Sequence, residues 1–257
     1  MKLKDIINTL NDLAPIQYSE SWDNPGLLIG DDEMDVLRIY IALDATSDVI
    51  ESASEKNADL ILTHHPLIFH PVRRVSADNY VGRRVMRIIA GNMSLFAMHT
   101  DFDITCMANE AAARLSLIET KVLEPTLSED LGLGAMGYLK EDLSLKELAE
   151  LTRSAFETEN VTVYGDLDET IVKVAILPGS GSSGIDYACI EGCDVLITGD
   201  ISHHDGTDAL EKGLNIIDAG HYGIEKLFVP FMKDYISNTL PGIEVFEDDT
   251  IRKYTVI

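Results

Sequence analysis

The sequence predicts an α/β fold made of two similar α/β domains related by internal duplication. Three observations predict it. Short continuous apolar runs, such as Ile39–Ala42, Leu60–Leu62 and Val195–Ile197, read as strands buried on both faces of a parallel sheet. Segments with helical apolar spacing separate them, the alternation expected of strand–helix–strand units. The same order then occurs twice. Ala58–Thr63 (ADLILT) leads into His64-His65, and Cys193–Thr198 (CDVLIT) leads into Gly199-Asp200. A helix and an apolar strand lie upstream of each block, IYIALD in one and VKVAILP in the other. Downstream, each has another helix and strand, and then a His-x-x-x-acid pair: His99…Asp103 and His221…Glu225.

In chain order, Leu3, Ile6, Ile7, Leu10 and Leu13 recur at helical spacing and Pro15 ends that helix. Asn24-Pro25-Gly26 is a turn before a strand at Leu27–Ile29. IYIALDAT is a strand running into polar residues, and SDVIESASEKN is a helix with Ser47 as its candidate cap. DLILT delivers the chain to His64 and His65; a helix near Val81–Ala90 then leads to the strand SLFAM, which delivers His99. The stretch from Leu123 to Thr158 reads as a glycine-rich loop, with Gly132, Gly134 and Gly137, followed by the helix LSLKELAELTRSAF. Gly179–Gly184 is a tight turn or an anion cradle without a P-loop lysine. AGHYGIEKLFVPFMKDY has helical spacing throughout. These readings divide the chain into an N-terminal half, 1–125, with His64, His65, His99 and Asp103, and a C-terminal half, 126–257, with His203, His204, His221 and Glu225.

Composition narrows the function classes. The 257 residues are 46% hydrophobic and 25% charged, enough for a sizeable core. A net charge of −24 repels phosphate backbones, which argues against bulk nucleic-acid or anionic-membrane binding. A single nucleotide, as a small-molecule substrate, can still enter where metal charge outweighs that field. No apolar run approaches the roughly 20 residues of a membrane helix, and the expected location is cytoplasmic. Cys106, Cys189 and Cys193 form no disulfide framework and read as reduced, inert thiols.

The chemistry-bearing residues are histidines and acids just past strand ends, where open α/β sheets bind ligands. Adjacent residues of an extended segment point to opposite sides, so His64 and His65 are expected to face apart, and Pro66 stiffens them. The i, i+4 spacing of each His-x-x-x-acid pair puts imidazole and carboxylate on one helical face. Imidazole with carboxylate suits zinc, iron, manganese or nickel. A carboxylate can bridge two cations, and such pairs lie about 3.5–4 Å apart. His203-His204 follows the strand end that corresponds to His64-His65; it is either a proton-transferring pair or an exposed helix start. His70 reads as structural or surface.

The segments ESWDNPGLLIG (Glu20–Gly30), ALDAT (Ala42–Thr46), LTHHPLIF (Leu62–Phe69), HTDFD (His99–Asp103), LPGSG (Leu177–Gly181), DVLITGDISHH (Asp194–His204) and GHYGIE (Gly220–Glu225) span nearly the whole chain. In this order they resemble the GTP cyclohydrolase 1 type 2 homologues, also called the Nif-three-like dinuclear metal-centre proteins. The resemblance implies two similar domains packed around a central cleft with two divalent metal ions. Its ligand positions match His64, His65, Asp103, His221 and Glu225, with Glu225 as the bridge and His99 orienting its neighbours. It also implies a homohexamer, and the length matches the family's short form. HTDFD stands where the family usually reads HTNLD, so Asp101 adds a negative charge beside the metals.

Function is left between a metal-dependent hydrolase acting on a nucleotide-like or cyclic amide substrate and a non-catalytic metal-binding, metal-delivery or interaction protein. A dinuclear phosphoesterase is a third reading. In the hydrolase reading His203 or His204 moves protons.

Overall fold

A computed structural model describes residues 1–249; residues 250–257, the end of the expected C-terminal half, lie outside them. The chain divides into two compact units, Met1–Phe102 together with the stretch from Phe228 onward, and Asp103–Leu227.

The first unit runs α1 (Leu3–Leu13), β1 (Gly26–Ile29), β2 (Arg38–Ala42), α2 (Ser47–Glu55), β3 (Leu60–Thr63), α3 (Tyr80–Ala90), β4 (Ser94–Ala97) and α4 (Thr100–Phe102). The second has α5 (Ala108–Arg114), β5 (Ile118–Ser128), β6 (Leu131–Ser144), α6 (Leu145–Ala155), β7 (Thr162–Tyr164), β8 (Thr170–Ser180), α7 (Gly184–Ile190), β9 (Val195–Gly199), α8 (His203–Glu211), β10 (Asn215–Asp218) and α9 (His221–Glu225). The chain then returns to the first unit with α10 (Phe228–Thr239) and β11 (Glu244–Glu247).

The first sheet has the order β1-β4-β3-β2-β11 and the second β5-β6-β8-β9-β10-β7. In each, three consecutive strands are parallel neighbours: β2, β3 and β4, then β8, β9 and β10. A short strand preceding each trio lies antiparallel on its far side, β1 on β4 and β7 on β10. The expected duplication is therefore present in the topology, down to one side chain. Asp59 Oδ2 accepts the N–H groups of Leu37 (2.8 Å) and Arg38 (2.9 Å), and Asp194 Oδ2 accepts those of Val172 (2.8 Å) and Lys173 (2.7 Å). Each aspartate opens the middle strand of its trio and ties down the start of the strand before it.

Both trios are apolar because helices cover them. In the first unit Tyr40, Ile61 and Leu95 pack with Val49, Ile50 and Ala53 of α2 and Val85 and Ile88 of α3. In the second, Ala175, Leu196 and Ile216 pack with Ile185 and Ala188 of α7 and Ala209 of α8. Among the described residues no helix is long and apolar enough to cross a membrane.

Four details differ from the sequence reading. The boundary at 125/126 is replaced by crossings at 102/103 and 227/228, because β11 pairs in parallel with β2 and extends the first sheet. A four-residue edge strand such as EVFE carries no period long enough to be read. The glycine-rich loop is a long hairpin, β5–β6. A Cβ at Gly132 would clash with the Glu124 carbonyl, so these glycines mark close backbone approach rather than a turn. The cap of α2 is Thr46, whose hydroxyl accepts from Val49 N–H (3.2 Å), with Ser47 the first helical residue. The helix expected across 219–235 is interrupted between α9 and α10; Pro230 falls in the first turn of the new helix, where no N–H is needed.

Burial pushes the Cys193 thiol up to about 11, with Lys173 opposing the rise, and burial also raises that of Cys189. At pH 7 a gap of that size leaves roughly one Cys193 in ten thousand as the reactive thiolate. Iodoacetamide at pH 7.5 should leave Cys193 unmodified in native protein and alkylate it in urea, as read by peptide mass spectrometry. Comparable rates in both states would show the site to be open.

Candidate metal centre

In the first unit β3 ends at Thr63, so His64 and His65 lie just past the strand rather than in it. The Thr63 hydroxyl donates to the His65 carbonyl (2.9 Å), and His65 N–H donates to Leu43 O (2.9 Å); both hold a bend. The expected strand alternation therefore fails here. The two rings lie 4.9 Å apart and converge, and donor atoms of His64, His65 and His99 all fall within 4.8 Å of one another.

Each ring is oriented from behind. His64 Nδ1 donates to the Met98 carbonyl (2.8 Å), His65 Nδ1 to Asp44 (2.9 Å) and His99 Nδ1 to Asp23 (2.8 Å). With Nδ1 protonated, the lone pair sits on Nε2, the arrangement that makes imidazole a metal ligand. His64 is fully buried against the rings of Phe102 (6.2 Å) and Phe228 (5.3 Å), a setting that demands such a partner. Burial would raise the Asp23 pKa, but hydrogen bonds from His99 and Thr100 and the attraction of His99 outweigh it and bring the carboxyl down to about 2.

In the second unit the same logic recurs. His221 opens α9, and its Nδ1 donates to Asp200 (2.8 Å) while Nε2 lies 2.9 Å from Glu225 Oε2. A contact this short between Nε2 and a carboxylate needs a proton or a cation between them, on the ring, on Glu225 or as a shared metal ion. Glu225 is 3% exposed, and a carboxylate oxygen of Asp103 lies within 4.8 Å of one of its own. Two carboxylates that close repel unless a cation or proton intervenes. The backbone makes room for them. Gly179 has φ +81°, and a Cβ there would stand 2.5 Å from Glu225 Oε1. Asp103 itself opens a π-helical turn, Asp103–Met107. The donor chemistry of both units thus fits divalent metal ions: imidazoles whose Nδ1 is committed to an oxygen in one, and imidazole with paired carboxylates in the other.

The His-x-x-x-acid pairs are not at equivalent positions. Thr63 pairs with Ala97 and Thr198 with Asp218, so His99 corresponds to Gly220 and His221 to Thr100, one residue out of step. His203 and His204 are the first exposed residues of α8, their rings 5.4 Å apart and the helix capped by Ser202. They belong to none of the donor groups among the described residues. His70 is exposed beside Phe69. Sequence reasoning missed Asp23, Asp44 and Asp200. A signal existed: His65 and His221 each lie 21 residues after their aspartate, which ends the neighbouring parallel strand.

Asp101 is 1% exposed and accepts from His99 N–H (2.7 Å). Burial pushes its carboxyl up to about 6. Backbone N–H groups of His99 and Phe102 pull the other way, and the Asp23 carboxylate adds to the rise.

The family model for Duf34/NIF3 (NGG1p interacting factor 3) matches residues 1–253. The chain belongs to this family. A member from Clostridium perfringens (strain 13 / Type A), named GTP cyclohydrolase 1 type 2 homolog, is 36% identical over 228 residues, covering 88% of this chain and 87% of that protein. Among solved structures, Staphylococcus aureus hypothetical protein SA1388 is 28% identical with a TM-score of 0.91, covering 100% of this chain and 99% of its own. Reduced HcgD from Methanocaldococcus jannaschii is 31% identical with a TM-score of 0.85, covering 97% and 98%. The fold and the family stated from sequence are thereby shown.

Two predictions follow from this geometry. The raised pKa of Asp101 means that its folded-state stabilisation is intact below the ordinary value of 3.8 and is lost as pH rises through about 6. The loss amounts to about 3 kcal/mol at 1.36 kcal/mol per pKa unit. In chelator-treated protein, Asp101→Asn should therefore raise the urea midpoint at pH 8 and change it little at pH 4; an equal change at both pH values would show that charge is not the cause. Asp44→Ala and Asp200→Ala remove acceptors that are 51% and 58% exposed, so they should leave the fold intact. Each should weaken metal affinity roughly 10–100-fold, measured by competition with a chromogenic chelator. Unchanged affinity in both would refute the orienting role.

Proposed function

We propose that this chain is a metal-dependent hydrolase with a dinuclear centre, acting on a nucleotide-like or cyclic amide small molecule. The observation that supports it most is that four histidines at strand ends, His64, His65, His99 and His221, each commit Nδ1 to an oxygen acceptor. In this reading His64, His65, Asp103, His221 and Glu225 would hold two divalent ions of zinc, iron, manganese or nickel, with the Glu225 carboxylate available to both. When bound, the ions supply Lewis acidity to the substrate and acidify a water. His99 and Asp101 orient the segment that leads to Asp103. His203 or His204 exchanges a proton with the leaving group at a ring nitrogen. The name of the Clostridium perfringens relative supports a purine nucleotide as the class to test first.

The test joins metal content and turnover on the same samples. Metal-replete protein should carry two equivalents by elemental analysis, and Glu225→Gln should lower both. His203→Ala or His204→Ala should slow hydrolysis of GTP or a cyclic amide at full metal content. At most one equivalent would refute the dinuclear centre. Full occupancy without turnover across nucleotides, phosphodiesters and cyclic amides would favour a metal carrier instead. Loss of metal in the His203 or His204 variant would reassign the ligands.

The proposed assembly, supported by the family resemblance, is a cytoplasmic homohexamer. Light scattering at micromolar concentration should give about six times the 28.3 kDa of one chain. A monomer mass would refute it.

A further inference from the structure

One aromatic residue in the Glu20–Gly30 segment has no part in the donor chemistry. Trp22 is the sole tryptophan of the chain and is 56% exposed. Its ring lies 6.0 Å from that of Phe69, itself 38% exposed, and 6.2 Å from that of His99. Both Trp22 and Phe69 meet the His99 ring edge-on, at 79° and 77°.

The backbone carrying these rings is fixed on all sides. Glu20 N–H donates to Thr100 Oγ1 (2.9 Å) and Asp23 N–H to Glu20 O (3.0 Å). The Asp23 carboxylate accepts from His99 Nδ1 (2.8 Å) and from Thr100 Oγ1 (2.6 Å). Asn24 Nδ2 donates to Ile68 O (2.6 Å), and Leu67 and Ile68 pack on the core of the first unit. A tryptophan on a mobile loop folds down onto apolar surface. Here the residues on both sides are tied to the His99 segment, so the ring stays half in water beside His99, next to the candidate metal centre. A rigid, exposed aromatic face at that place is what a planar ring stacks on. The charge of −24 argues against a nucleic-acid strand as the occupant and favours a single small molecule.

We propose that Trp22 is the stacking platform for the planar heteroaromatic ring of the substrate, with Phe69, tilted 52° to it, walling its side. The platform deepens the hydrolase reading, and rests on it for the chemistry that follows binding. The binding itself needs only the first unit's residues.

Trp22 fluorescence reports on this one place. Full-length, metal-loaded protein should be titrated with guanosine, adenosine and cytidine, and separately with inorganic triphosphate and 2-pyrrolidinone. At least one nucleoside should quench Trp22 saturably, and neither triphosphate nor pyrrolidinone should. By equilibrium dialysis, Trp22→Ala and Phe69→Ala should weaken that nucleoside at least 5-fold. Trp22→Phe should restore part of the loss, with metal content and melting temperature unchanged throughout. Absence of saturable binding by all three nucleosides overturns the platform, as does nucleoside binding unchanged in Trp22→Ala. Turnover with an unaltered KM in Trp22→Ala overturns the platform and leaves the hydrolase standing. Nucleoside quenching without turnover does the reverse.

Discussion

Parallel strands bring their carboxyl ends to one edge only if their register is held, and in each unit a single aspartate holds it. Asp59 and Asp194 sit at the start of the central strand and bind two successive N–H groups of the strand before it. With that end pinned, Ala42, Thr63 and Ala97 come into line. In the second unit Thr198 and Asp218 do the same. Asp44, His65 and His99 leave their strands within two residues of those positions, as do Asp200 and His221 within three. A slip of one residue would turn each to the other face of its sheet.

The next constraint is the histidine ring, which, while one nitrogen keeps its proton, can offer a metal only the other. Placing an oxygen behind Nδ1 costs little where strands end side by side, since a carbonyl or a carboxylate from the adjacent strand is already there. Met98 supplies the carbonyl; Asp23, Asp44 and Asp200 supply the carboxylates. Asp23 shows how firmly such a contact is made. Burial alone would favour its neutral form, yet hydrogen bonds and charge keep it ionised down to about pH 2. Asp101 lacks comparable compensation and is held nearer its neutral form. Two carboxylates that both bond the His99–Thr100 segment are thus tuned in opposite directions by their partners.

The duplication explains much of the plan and also where the plan breaks. Both units share a strand trio, the antiparallel strand beside it, and the register aspartate. They differ in what covers the outer flank of the trio's first strand, β11 beside β2 and the β5–β6 hairpin beside β8. They also differ in what leaves the strand ends. The first unit presents three imidazoles, the second one imidazole with two carboxylates. The single-residue offset between His99 and His221 belongs to this divergence: the two helices begin at equivalent positions, Thr100 and His221, and the histidine precedes the helix in the first unit and opens it in the second.

Much of the site was legible because its residues are local in sequence. His64-His65, His99…Asp103 and His221…Glu225 stand next to apolar strands, and their types and spacing point to metal without any coordinates. Strands, helices and the doubling were legible for the same reason, since buried periodicity is written along the chain. Contacts that depend on distant partners were not. No local pattern tells that EVFE closes onto β2, that glycines at 132 and 137 sit under another backbone, or that Trp22 stands beside His99. The convergence of His64 and His65 was misread because strand alternation stops where the strand stops, and Thr63 decides that point through a hydrogen bond across the bend. Amino-acid order alone determined which groups could bind metal; tertiary structure decided which ring nitrogen each offers, because acceptors at neighbouring strand ends take the other.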